Sequence, residues 1–144
     1  MIQMYGWANI RESYLEDYEE ENMPAINNNL RNKIADFSWH NGMISLKYLN
    51  GDLILTFALS INRMRQETYE AFDLYNYIAE IAKGSYGLIY LHDDENPEKY
   101  NQFQVYILAR GQMRLSEDPF LSPLIPTVED GTIYNGNNKS GKFS

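Results

Sequence analysis

Residues Asp36–Leu59, DFSWHNGMISLKYLNGDLILTFAL, decide the fold class. Two Asn-Gly pairs, Asn41-Gly42 and Asn50-Gly51, separate short runs in which apolar and polar residues alternate. A type I′ turn needs positive φ at both central residues, and Asn-Gly meets that need at the least steric cost. The spacing therefore predicts an antiparallel meander of three strands. Its second hairpin is the better defined. Ile44, Leu46 and Tyr48 share one face of the first of its strands, and Leu53, Leu55, Phe57 and Leu59 share one face of the second.

On the C-terminal side, residues 66–83 (QETYEAFDLYNYIAEIAK) change period. Ala71, Leu74, Tyr75, Ile78, Ile81 and Ala82 recur at spacings of three and four, which draws one apolar stripe along a helix. Glu67 and Glu70 near its start and Lys83 at its end suit the helix dipole, and Gly84 is expected to stop it as a left-handed residue. Upstream, Pro24 suits the first turn of another helix, with Ile26, Leu30 and Ile34 on one face. Residues 2–10 read as a first strand interrupted near Gly6. Two further strands are expected at Tyr86–His92 and Phe103–Arg110. The acidic connection between them, DDENPEKYNQ, contains Pro97, which a central strand would not tolerate.

The section EDPFLSPLIPTVEDG holds three prolines. It reads as an ordered irregular segment anchored by Phe120, Leu121 and Ile125. The expected order is strand, helix, three strands, helix, two strands. This is an α+β fold with two helices packed on a mostly antiparallel sheet of five to six strands. Residues 1–131 form a single domain in this reading, and 132–144 a flexible polar tail.

The chain has 144 residues, a formal net charge of −8 and a pI near 4.7. Such a chain repels duplex nucleic acid and anionic membrane surfaces and attracts basic proteins. The absence of cysteine excludes disulfides, thiolate metal sites and cysteine nucleophiles. With no signal-like N-terminus and no apolar run of spanning length, the reading is cytoplasmic.

Three groups of residues are candidates for chemistry. Asp93, Asp94 and Glu95 are consecutive, so on a strand end their side chains alternate direction rather than converge. The loop also lacks the ligand spacing of a calcium site. His40 and His92, the two histidines, have no zinc-type neighbours, and His92 beside Asp93 reads as a local surface pair. Gly84 and Gly87 follow a helix and precede a strand, the reverse of a phosphate-binding loop. No catalytic, cofactor or metal set is expected. What remains is acidic surface: Glu16, Asp17, Glu19, Glu20 and Glu21 in one segment, and Asp93, Asp94, Glu95 and Glu98 in another. Clustered carboxylates of this kind steer cationic partners as well as aid solubility.

GSYGLIYLHDDE (84–95), NQFQVYILARG (101–111) and DPFLSPLIPTVED (118–130) resemble successive motifs of the bacterial immunity protein 7 family. Gly6-Trp7, Ile10-Arg11-Glu12 and Asn62-Arg63 resemble family positions as well, so the likeness covers about residues 2–130. His92 stands where the motif carries arginine. Leu124 stands where it often carries cysteine, which suggests a packing position.

The resemblance implies an immunity protein that binds and neutralises the C-terminal domain of a cognate polymorphic toxin without catalysis. Many such toxins are nucleases, whose basic substrate faces an acidic inhibitor suits. It implies fold-bearing roles for Trp7, Arg63, Gly84, Tyr86, Gly87, Arg110, Asp118, Pro119, Phe120 and Pro126, and leaves specificity to the acidic loops. Two alternatives are a small acidic interaction module unrelated to toxins and, behind it, a small hydrolase using His92, Asp93 and Asp94.

Overall fold

A computed structural model describes residues 1–16 and 20–131. Asp17 and Glu19, and the expected tail at 132–144, lie outside the described residues. The chain runs β1 (Ile2–Ile10), α1 (Met23–Ala35), β2 (Gly42–Leu49), β3 (Asp52–Ile61), α2 (Gln66–Ile81), β4 (Tyr86–Asp93), β5 (Gln104–Ala109), β6 (Gln112–Glu117) and a short 3₁₀ turn at Glu129–Gly131. The six strands form one antiparallel sheet in the order β2-β3-β1-β4-β5-β6. The α+β class, the two helices and the antiparallel sheet are as the sequence predicts.

The strands are distributed differently around the helices. Two lie between α1 and α2, because the first Asn-Gly pair is not a turn: Gly42 already opens β2, and neither Asn41 nor Gly42 has positive φ. Asn50 and Gly51 do, at 51° and 87°, as a type I′ turn requires. Three strands follow α2. The additional one is β6, joined to β5 by Arg110-Gly111 with φ of 50° and 75°. An arginine in the left-handed region is unusual and gave no turn signal. β6 is an edge strand and mostly exposed, so it has no apolar run to announce it.

Neither does Gly6 interrupt β1, which is continuous over nine residues. A Cβ at Gly6 would lie 2.1 Å from the ring of Phe57, its partner across the β1–β3 ladder, so glycine makes room for an aromatic ring there.

The core lies on one side of the sheet. Ile2, Met4, Ala8 and Ile10 of β1, Leu53 to Ile61 at every second position of β3, and Ile89 and Leu91 of β4 are buried with one parity. Against them pack Ile26 and Leu30 of α1 and Ala71, Leu74, Tyr75, Ile78 and Ala79 of α2. Each fully buried leucine or isoleucine here contributes about 1.5–3 kcal/mol of transfer free energy. Phe57 meets Trp39 and Tyr75 edge to face, and the Trp39 indole donates to Glu70. The Tyr75 hydroxyl reaches the Leu88 carbonyl at 3.4 Å, and burial pushes its pKa far up, so it remains a neutral core group. With both helices on this face, no described element covers the centre of the other one.

Candidate protein-binding surface

The residues after β1 are clamped by the motif that follows α2. Arg11 donates its N–H to Ser85 Oγ at 3.0 Å, and its carbonyl accepts from the Ser85 hydroxyl and the Gly84 N–H. A Cβ on Gly84 would meet the Ser13 backbone at 2.2 Å. Its φ is not positive, so the expected left-handed helix stop is replaced by a close crossing of two chains. Gly87 is tight for the same reason, its virtual Cβ lying 2.1 Å from the Trp7 carbonyl oxygen on β1.

This clamp fixes the first acidic segment at the C-terminal end of β1. Glu12 accepts from the Asn22 N–H, and Glu20 accepts from the Glu12 N–H with Arg11 Nε at 3.7 Å. Glu16 and Glu21 point to solvent. The second segment lies at the opposite end of the strand. The Met1 ammonium donates to Asp94 Oδ1 at 2.7 Å and holds that carboxyl below its ordinary pKa. Asp93 accepts from the Glu95 N–H, while Glu95 and Glu98 are exposed. Eight residue steps of an extended strand separate the two ends by about 27 Å. Among the described residues, the sequence-predicted carboxylates thus lie in two patches, one at each end of β1. Among the described residues no cluster of three or more His, Asp or Glu is placed to hold a metal ion.

His92 differs from its expected surface pairing. It is 4% exposed, with Nε2 donating to the Tyr100 carbonyl at 2.7 Å and Nδ1 facing the Gln3 amide at 3.3 Å. Phe103 stacks edge-on against both His92 and Tyr90. His92 and Tyr90 share the parity opposite to the core, so the loop between β4 and β5 folds over that end of the helix-free face. Burial, then the nearby Asp118 carboxylate, raises the Tyr90 pKa.

The same loop secures the C-terminal segment. Asn101 Oδ1 accepts from the N–H groups of Leu124 and Ile125, and its amide donates to the Ile125 carbonyl. Asp118, 7% exposed, accepts from the Leu121 N–H and donates its own N–H to the Phe103 carbonyl. The expected apolar anchors are on the outside: Phe120 is 70% exposed, and Leu121, Leu124 and Ile125 are exposed as well. Polar side chains hold this segment instead, so Leu124 is no packing position. Pro119 and Pro126 are exposed within it, and Arg63 is exposed in the connection to α2.

Sequence reasoning missed the centre of the helix-free face. Trp7 and Tyr86, read as fold-bearing positions, are 43% and 44% exposed and touch edge to face with centroids 6.1 Å apart. Tyr5 lies two residues along β1 and directly across from Tyr90 on β4, and it is also exposed. The signal was present in the alternation Tyr5-Trp7 and Tyr86-Leu88-Tyr90. It needed the assignment of sides to be read as surface.

No curated protein and no solved structure matches this chain. A family model described as immunity protein 7 matches residues 1–130. With that match covering most of the chain and including the Gly84–Ser85 clamp, the Arg110-Gly111 turn and the Asp118 segment, the protein belongs to the immunity protein 7 family.

Proposed function

We propose that this immunity protein neutralises its cognate polymorphic toxin by binding the toxin's C-terminal domain and covering its active or substrate-binding surface. Family membership carries the reading. The charge supports it: at −8, with exposed carboxylates at Glu16, Glu20, Glu21, Asp94, Glu95 and Glu98, the protein attracts a basic domain and accelerates its capture. A nuclease is the toxin class that best fits such a partner, because its substrate face must itself be basic. The protein acts in this reading by occupation rather than by catalysis.

The test is to co-express the protein with the C-terminal domain of the toxin encoded beside it. Growth should be rescued, and the purified proteins should form a stable complex whose toxin has lost access to its substrate. Failure of both rescue and binding would end this reading.

A further inference from the structure

We infer that the helix-free face of the sheet is the docking surface, with Tyr5, Trp7 and Tyr86 as its anchors, and that its occupant is a protein with an apolar centre and basic flanks. The inference rests on the toxin-binding reading and names the surface within it.

Three observations converge. The first is composition. The strand residues of the main core cluster have one parity. Of the opposite parity, Val105, Asn9 and His92 are buried, and the rest on β1 and β4 are Gln3, Tyr5, Trp7, Tyr86, Leu88 and Tyr90, with no carboxylate among them. Aromatic enrichment with depletion of charge is the signature of an interface centre, where tryptophan and tyrosine carry most of the binding energy. On a chain with 20 acidic residues, a central strip free of them stands apart.

The second observation is shape. The aromatic ridge on β1 and β4 has a hollow on each side. One, of about 270 Å³, lies over β2 and β3 beside Tyr5, Met43, Ala58 and Ser60. The other, of about 300 Å³, lies over β5 and β6 beside Ile107, Ala109 and Gln112 and is flanked by Arg110 and Arg114, so on this side it suits a polar or acidic group of the partner. Small side chains at Ala58, Ser60 and Ala109 leave this room, and each hollow can take a partner side chain on either flank of the ridge.

The third is charge at the rim. The two acidic segments lie at the two ends of β1, about 27 Å apart along the strand that runs through the face. A standard interface covers about 800 Å² on each partner, a patch roughly 30 Å across. The acids therefore bracket an aromatic centre at the dimensions of one interface. A second copy of this chain is disfavoured as the occupant, because each copy carries −8 and would bring its own acidic rim to the contact. A protein with basic groups around an apolar centre complements both parts.

The experiment measures affinity for the inactivated C-terminal domain of the adjacent toxin, using the full chain and the variants Trp7→Ala and Tyr86→Ala. Each should weaken binding by at least about 30-fold. Tyr69→Ala, at a still more exposed tyrosine on α2, should leave binding unchanged. Thr56→Arg, at an exposed position of the same face that takes no part in the core, should block docking without removing a packed group. Circular dichroism and thermal midpoints check the fold of each.

Wild-type protein that fails to bind the domain overturns the toxin-binding reading itself. Wild-type binding with Trp7→Ala, Tyr86→Ala and Thr56→Arg all unaffected overturns only the assignment of the face. Sedimentation showing a wild-type dimer that Thr56→Arg dissolves would identify a second copy as the occupant and overturn the assignment to the toxin.

Discussion

Asp94 shows how one contact writes a pH dependence into the molecule. Its carboxyl lies below the ordinary value of 3.8 because the Met1 ammonium donates to it. Glu129 is likewise lowered, chiefly by the Ser122 N–H. Groups whose folded-state pKa is depressed bind fewer protons when folded than when unfolded in acid. Their contribution is complete above the unfolded value and disappears as pH falls through the folded one. Thermal midpoints should therefore decline as pH drops below about 4. Asp94→Asn with Glu129→Gln should flatten that limb. Both groups are solvated, so the effect is a change of slope rather than a large loss. An acid limb identical in the double variant would remove these two carboxylates from the account.

Among the elements, the junction of β1 with the turn before β4 is the most constrained. Gly84 and Ser85 take both backbone groups of Arg11, and no side chain fits between Gly84 and Ser13. Gly84→Ala should force the two chains apart and destabilise the fold by about 1–3 kcal/mol, the usual range for overpacking. Urea unfolding would read this as a lower midpoint with an unchanged slope. Alanine at Gly84 with no loss of stability would mean that the crossing relaxes freely. The turns were legible in different degrees. Asn50-Gly51 announced itself through residue types that accept positive φ, whereas Arg110-Gly111 adopts the same left-handed pair with a first residue that rarely does. β6 was missed with that turn.

At the scale of the whole molecule, two acidic segments lie at the two ends of β1, with the exposed Tyr5, Trp7 and Tyr86 between them. Electrostatic steering acts on the rate of encounter, and buried anchors act on the lifetime of the complex. Reversing Glu16 and Glu21 to lysine at one end, or Glu95 and Glu98 at the other, should slow toxin association and reduce its dependence on salt, with a smaller change in dissociation. Stopped-flow measurements over a range of ionic strength would separate the two terms. If neither end alters the association rate, the carboxylates serve solubility.

The sequence by itself determined the class of fold, both helices, the principal hairpin and the family. These depend on local periodicity, turn chemistry and motif spacing, which neighbouring residues carry among themselves. The tertiary structure decided which face each strand buries, and that cannot be read from alternation alone, since period two shows that a strand has two sides but not which one the helices take. Hence Trp7 and Tyr86 read as packing and are half exposed, Phe120 reads as an anchor and lies outside, and His92 reads as surface and is enclosed. Likewise only the pairing of β1 with β4 puts the described acids of the two segments at opposite ends of one strand, because distance along the chain does not fix distance in space.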